Sequence, residues 1–264
     1  MDNKLSIIIP VYNEWRTIRE LLDKLQDLKL NTEIIIVDDA STDGTSDILN
    51  RLNDPGIRVI SHAHNQGKGS AIRTALPYCT GQRVIIQDAD LEQDPEDIYM
   101  LVEPMINRGA NVVYGSRFLG QRPRMKWSAY LANRFLSLLT SLLYQTRLTD
   151  LETCYKIFDR EVICNIPLEA RGFEFEPEMT AKLMRSGFKI HEVPIKEDWY
   201  HGYDNNSKKV RWTDGVIALW TLLRFRFWRP ESTVRASSAK DRIETSILCP
   251  GNRTVPSKDG ISCE

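Results

Sequence analysis

The sequence has few means of stapling or anchoring itself. Its five cysteines, Cys79, Cys154, Cys164, Cys249 and Cys263, are odd in number, and no two stand in Cys-x-x-Cys spacing. A secreted disulfide framework and a zinc ribbon are thereby disfavoured, and a reducing compartment fits better. No stretch offers ~20 uninterrupted apolar residues, so no membrane span is read. The opening "MDNKLSIIIP" carries an acid and only a short apolar run, and it lacks the apolar region of a signal peptide. Excess charge is missing too. The 35 Lys and Arg against 36 Asp and Glu leave a net charge of −1, which makes the chain as a whole no partner for nucleic acid. No internal repeat is visible. "GKGS" at 67–70 lacks the earlier glycine of a P-loop and is not GxGxxG, so ATP or NAD binding is poorly supported. His62 and His64 have no cysteine or histidine partner at metal-ligand spacing.

What is present is alternation. "LSIIIPV" (5–11), "EIIIVDD" (33–39), "IRVIS" (57–61), "QRVIIQDAD" (82–90) and "ANVVYGSRF" (110–118) predict strands. Between them, "EWRTIRELLDKLQDL" spaces Ile18, Leu21, Leu22, Leu25 and Leu28 as one helical face. "STDGTSDILNRL", "GKGSAIRTALPYC" and "DPEDIYMLVEPMIN" predict further helices. Such alternation implies right-handed βαβ units and a mostly parallel sheet. Past residue 118 it breaks, leaving "TCYKIF" (153–158) and "FKIHEVPI" (188–195) as strands and a helix around 175–186.

Acids gather at the predicted strand ends: Glu14 after the first, Asp38-Asp39 after the second, Asp88 and Asp90 after the fourth. In an open parallel sheet ligands bind beyond those ends. Neighbouring carboxylates repel unless a cation sits between or beside them. Mg²⁺ takes one or two protein carboxylates together with phosphate oxygens, so Asp88 and Asp90 are read as holding a metal that carries a diphosphate. The bland alternative is a solvated loop, with Glu92, Asp94, Glu96 and Asp97 favouring a helix N-terminus.

"SIIIPVYNE" (6–14), "VDDASTDGT" (37–45), "NQGKGSAIRTAL" (65–76), "QDADLEQDP" (87–95) and "GSRF" (115–118) together resemble the motif series of family 2 glycosyltransferases. The branch of dolichyl- and polyprenyl-phosphate hexose synthases is the most similar. The resemblance implies an α/β GT-A (Rossmann-like) fold, a mostly parallel sheet flanked by helices, and nucleotide-sugar-dependent inverting transfer. Carried over by position, it implies that Pro10, Tyr12, Glu14, Val37 and Asp39 border the base and ribose, with Asp39 on the base. Asp88, Ala89 and Asp90 lie along the donor's diphosphate, and Lys68 is among the implied nucleotide-sugar-binding residues. Asp88, Asp90 and Glu92 are the implied ligands of Mg²⁺ or Mn²⁺, with Asp90 the main one; Glu92 stands where relatives often have glutamine. Arg117 and Lys208 are the implied catalytic cations beside Asp90. The family also has an arginine near position 202, where this chain has Gly202; His201 or Arg211 is the candidate substitute.

The acceptor decides whether a base is needed. A phosphate monoester is largely dianionic at neutral pH and needs none, but it does need cations. Residues 116–149 carry Arg117, Arg122, Arg124, Lys126, Arg134 and Arg147 and no acid. A hydroxyl acceptor would need a base, for which Asp150, Glu152, Glu174, Glu176 and Glu178 are candidates, with loop anchoring as their structural alternative. Arg134, Glu176 and Glu178 are expected on the acceptor side.

"WSAYLANRFLSLLTSLLYQT" is apolar around most of its circumference, with Asn133, Ser137 and Ser141 as a thin polar stripe. Arg134 argues against spanning, so helices over about 127–145 and 212–229 are expected to lie in a membrane interface, a buried core helix being the alternative. Trp212, Trp220 and Trp228 beside Arg224, Arg226 and Arg229 repeat the theme. A catalytic domain is expected over 1–229 and a polar, disordered tail over 230–264. The expected function is hexose transfer from a UDP- or GDP-sugar to polyprenyl or dolichyl phosphate. Its expected place is the cytoplasmic membrane face, peripherally bound, with a small membrane subunit as a candidate partner. The alternatives are a hydroxyl-acceptor transferase in polysaccharide or glycolipid synthesis, and a nucleotide-sugar-binding scaffold without turnover.

Overall fold

The computed structural model describes residues 4–120, 125, 127–196 and 212–230, with the side chain of Trp212 left aside. Lys208, His201, Gly202, Arg211, Arg122, Arg124, Lys126, Cys249, Cys263 and the expected tail beyond Pro230 lie outside the described residues.

The strands are β1 (Leu5–Val11), β2 (Thr32–Asp38), β3 (Ile57–Ser61), β4 (Arg83–Ile86), β5 (Val112–Ser116), β6 (Lys156–Asp159) and β7 (His191–Pro194). They form one sheet in the order β3-β2-β1-β4-β6-β5-β7. β6 runs antiparallel to both β4 and β5, and the other pairings are parallel. The central pairs align isoleucine with isoleucine: Ile7 with Ile34, Ile8 with Ile35, Ile9 with Ile36. Strands covered on both faces are expected to be apolar without alternation, and these side chains are essentially buried.

The period of two divides the core. Ile8, Val37, Val84 and Ile86 pack in a cluster with Ala71, Ile72, Phe175 and Leu222. Ile7, Ile9, Ile36 and Ile85 pack in a second with Leu21, Leu25, Ile98 and Leu101. The first layer is α3 (Lys68–Ala75), α5 (Trp127–Tyr144), α6 (Arg160–Asn165), α7 (Phe175–Arg185) and α8 (Trp212–Phe225). The second is α1 (Ile18–Gln26), α2 (Thr45–Leu49) and α4 (Ile98–Asn107).

Four strands are shorter than their runs predict; β5 is trimmed at both ends to Val112–Ser116. β4 ends at Ile86 rather than Asp90, because its ladders with β1 and β6 run out there. Gln87 still donates its N–H to Ile8 O at 3.0 Å, and Asp88 to Asp90 then leave the sheet. β6 begins only at Lys156, where it meets Ile86 and Tyr114. β7 is confined to the four residues that pair with β5.

α5 is inside out. Its buried residues are Asn133, Leu136, Ser137 and Thr140. Leu131, Phe135, Leu138 and Leu142 recur at four- and three-residue spacing on the outside, each more than half exposed. The polar stripe therefore faces the protein and the apolar face looks out. α8 also turns apolar residues outward, with Val216, Ile217, Trp220 and Leu223 exposed, but its inner face is itself mostly apolar, burying Ala218, Leu222 and Phe225 beside Thr221. Among the described residues no helix is long and apolar enough to cross a membrane.

Candidate active site

A cleft forms beyond the carboxyl ends of β1, β2 and β4. Asn13, Ala40 and Leu91 there hold left-handed backbone, with φ of 59, 63 and 60°, though none is glycine. Such conformations cost about 1–3 kcal/mol each and persist where the surroundings enforce them. Asn13 shows how: its Oδ1 accepts the Thr42 N–H at 2.7 Å, and its own N–H donates to Ser41 Oγ at 2.9 Å. Glu14 N–H donates to Thr45 Oγ1 at 2.9 Å, which ties the loop after β1 to the start of α2.

The residues expected around the base and ribose come together here, with differing accessibility. Pro10, Tyr12 and Glu14 are partly exposed at the edge. Val37 is fully buried in the core, so its side chain is not presented to the cleft. Asp39 accepts from Gln66 N–H at 2.8 Å and Gly67 N–H at 2.7 Å, and lies 2.7 Å from His62 Nδ1. It anchors the loop that leads into α3. His62 contacts Thr74 Oγ1 at 2.9 Å through its other nitrogen.

After β4, Ala89 is buried in the core and leaves Asp88 and Asp90 on either side, both partly exposed. Asp90 Oδ1 accepts Glu92 N–H at 3.2 Å, while the Glu92 side chain is exposed. Asp94 caps the turn that opens α4 by accepting Glu96 N–H at 3.0 Å, and Asp97 accepts Lys196 N–H at 2.7 Å. Among the described residues no three His, Cys, Asp or Glu side chains converge into a ready-made metal cage. The donor chemistry at Asp88 and Asp90 is hard oxygen at the mouth of a ligand cleft. That fits a Mg²⁺ or Mn²⁺ ion completed by substrate phosphate oxygens.

A cation already faces Asp88. Lys68 Nζ lies 2.8 Å from its Oδ1 and 3.0 Å from its Oδ2, and 3.5 Å from Glu176 Oε1. Burial works to lower the Lys68 pKa, yet Asp88 and Glu176 hold it well above the ordinary lysine value. Behind it, Glu176 Oε2 is gripped by Lys156, a fully buried lysine that also donates to Leu151 O at 3.2 Å. Lys156 stands 4.7 Å from the Tyr114 ring, whose hydroxyl contacts Thr180 Oγ1 at 3.0 Å. Gly67 and Gly69 let α3 approach this corner. A Cβ on Gly67 would meet Arg171 O at 2.4 Å, and one on Gly69 would meet Ala170 O at 2.6 Å.

The other wall belongs to Arg117. Its Nε and Nη2 donate to the two oxygens of Asp150 at 2.7 and 2.8 Å, and its backbone N–H adds a third bond at 3.1 Å. Asp150 is fully buried; burial would raise its pKa, but Arg117 and Asn133 hold it below the usual range. Asn133 Nδ2, on α5, donates to Asp150 Oδ1 at 2.9 Å. Glu192, on β7, accepts from Thr149 N–H and Asp150 N–H and fixes the loop. Arg134 donates to Thr149 O at 3.3 Å and lies 5.4 Å from the Phe118 ring. Arg117, Glu92, Gln93, Thr153 and Cys154 share the lining of one small pocket. Burial pushes the Glu152 carboxyl up to about 7, with Lys156 pulling the other way and Glu176 adding to the rise.

Glu178 turns away from this cleft. It accepts from Glu169 N–H at 2.9 Å, Ala170 N–H at 2.7 Å and Lys182 Nζ at 2.6 Å. Glu174 caps Arg171 and Gly172. Sequence reading passed over Lys156, Asn133 as a holder of Asp150, and Glu192. The signal for Lys156 was a lysine inside the apolar run "YKIF"; Asn133 and Glu192 gave none beyond being polar in apolar surroundings.

A family model described as "Glycosyl transferase family 2" matches residues 6–166. The undecaprenyl-phosphate mannosyltransferase of Micrococcus luteus is 31% identical over 202 residues, covering 73% of this chain and 82% of that protein. The UDP-N-acetylglucosamine–dolichyl-phosphate N-acetylglucosaminyltransferase of Methanococcus voltae is 30% identical over 216 residues, covering 74% and 86%. Among solved structures, glucosyl-3-phosphoglycerate synthase from Mycobacterium tuberculosis, in complex with Mn²⁺, UDP and phosphoglyceric acid, superposes with a TM-score of 0.65 at 21% identity. That match covers 87% of this chain and 80% of that one. It shows the GT-A fold. With the motif series in place at the strand ends, the chain belongs to glycosyl transferase family 2 and is a glycosyltransferase.

Proposed function

We propose that this chain moves a hexose from a UDP- or GDP-sugar to a polyprenyl or dolichyl phosphate, with inversion, while bound peripherally to the cytoplasmic face of a membrane. One observation carries this reading: Arg117, on the cleft wall, and Asn133, on the inside-out helix α5, grip the same buried Asp150. A cation suited to phosphate is thus bolted to a helix whose exposed face is apolar. A phosphate on an isoprenoid tail is the acceptor with both properties. The two similar transferases named above, by their names, act on lipid phosphates of that kind.

Asp88 and Asp90, with Glu92 beside them, would hold Mg²⁺ or Mn²⁺; when bound, the ion supplies charge to neutralise the departing diphosphate. Lys68 places a second positive charge at the same corner, where negative charge grows as the sugar leaves. Arg117, fixed by two parallel hydrogen bonds, and Arg134 hold the acceptor phosphate near that corner. Lys208 is assigned to the same task. No base is required of the chain, because the acceptor arrives ionised. Tyr12, Glu14 and the loop anchored by Asp39 shape the base and ribose end.

The test is a panel of labelled UDP- and GDP-sugars with polyprenyl phosphate and Mg²⁺, scored for lipid-extractable label. One donor should give product, and Asp90→Ala should abolish it. Nucleotide binding with no transfer to any lipid acceptor would favour the scaffold reading instead. A hydroxyl acceptor is the second reading, and the observation favouring it is Glu152, whose carboxyl is set near neutrality beside the cleft.

A further inference from the structure

Under the cleft, charges alternate in a row: Asp88, Lys68, Glu176, Lys156. The two carboxylates of this row differ in how well they are satisfied. Glu176 is 3% exposed in its side chain, and Lys156 holds its Oε2. Its Oε1 is buried and accepts no hydrogen bond, although Lys68 Nζ stands 3.5 Å away. A buried carboxylate oxygen left in that state is costly, and a cation moving onto it recovers the cost. Lys68 meanwhile rests against both oxygens of Asp88.

We infer that Lys68 is an exchangeable counter-ion with two seats, Asp88 and Glu176 Oε1, and that it yields the first to the divalent cation and takes the second when the donor binds. This rests on the proposal that Asp88 and Asp90 hold the metal.

The geometry suits an exchange. Lys68 is the first residue of α3, at the end of a flexible four-carbon stem. The backbone beneath it is tied down: Gly67 N–H donates to Asp39 Oδ2 at 2.7 Å and Ser70 N–H donates to Arg171 O at 3.2 Å. The stem can therefore swing while the main chain stays. Two cations repel at one carboxylate, so the lysine weakens binding of free metal. A metal arriving on a nucleotide diphosphate brings its own negative charge and overcomes that barrier. Glu176 then keeps the displaced ammonium paired, and Lys156 keeps Glu176 in place. Lys68 and Glu176 are thus positioning residues that make metal binding depend on the donor.

The experiment is a Mn²⁺ titration of the full chain without nucleotide, followed by the electron paramagnetic resonance signal of free Mn²⁺, then repeated with UDP and with GDP. Lys68→Met should bind Mn²⁺ alone at least ~10-fold tighter, because a unit charge a few ångströms from the ion is gone. Lys68→Arg, which keeps the charge, should stay close to the parent. With nucleotide present, Lys68→Met should bind the nucleotide more weakly than the parent does. A gain for metal with a loss for nucleotide is a pair of opposite signs that a loosened structure does not produce. Lys68→Gln serves where Lys68→Met does not fold. Parent-like or weaker Mn²⁺ binding in the folded, uncharged variant overturns the exchange. Asp90→Ala separates the two failures. Its retention of parent-like Mn²⁺ binding sinks the metal reading itself, whereas loss there with no gain at Lys68→Met or Lys68→Gln sinks the exchange alone.

Discussion

At the scale of single residues, the cleft is a set of charges that hold one another. Asp150 illustrates the consequence. It is fully buried and takes three hydrogen bonds from Arg117 and one from Asn133. Breaking a buried pair by removing one partner costs about 3–5 kcal/mol. Asp150→Asn should therefore lower the unfolding free energy obtained from urea denaturation by an amount in that range, and transfer should fall with it as Arg117 loses its anchor. Glu152 sets a pH test. Its carboxyl is pushed up to about 7 from the ordinary 4.5. Between those values the folded chain binds the proton more tightly than the unfolded chain, so this group's contribution to stability falls as pH rises through the window. Glu152→Gln removes that slope. The variant should gain stability over the parent at pH 8 and show little difference below pH 4.5, read from denaturation midpoints. The same variant decides between acceptors. Asp150, Glu176 and Glu178 are each held by a cation, and Glu174 and Glu178 accept backbone N–H groups, which leaves Glu152 as the base a hydroxyl acceptor would use. Loss of a required base lowers rate by ~10²–10⁴. A lipid phosphate acceptor predicts a far smaller loss.

At the scale of elements, α5 carries the clearest test. Sequence periodicity exposed its polar stripe but not which way the stripe faced. The structure turns Asn133 and Ser137 inward, where Ser137 Oγ accepts Leu151 N–H at 3.0 Å, and turns Leu138 and Leu142 outward at 60 and 69% exposure. Exposed positions tolerate substitution within about 0.5 kcal/mol. Leu138→Glu with Leu142→Glu should thus leave the melting temperature nearly unchanged. The same pair should abolish flotation with liposomes and slow transfer to a long-chain acceptor more than to a short, water-soluble one. Unchanged flotation would point to a small membrane subunit as the cover of that face, or to none.

At the scale of the molecule, charge is balanced overall but not locally. The net charge is −1, yet residues 116–149 hold no acid, and Arg224 and Arg226 stand at the end of α8. Cations that face anionic lipid are screened by salt. Binding to anionic vesicles should weaken as ionic strength rises, while binding to neutral vesicles, driven by the apolar faces, should not. Sedimentation at low and high salt distinguishes the two.

The amino-acid sequence by itself determined the alternation of strands and helices, the strand ends at which acids gather, and membership of the motif series. These are local patterns: isoleucine runs, helical spacing and turn residues specify them without reference to distant chain. It did not determine where β4, β6 and β7 stop, because strand length is set by the ladder of the neighbour. Nor did it show that Lys156 underlies Glu176 or that Asp150 belongs to Arg117, because these partners stand 20 and 33 residues apart and only packing brings them together; for Glu178 it left a base and a loop anchor both open, and the bonds to Glu169 and Ala170 decided for the anchor. The direction of α5 was decided the same way. A stripe of polar residues on an apolar helix can face water or a buried charge, and the position of Asp150 settled which.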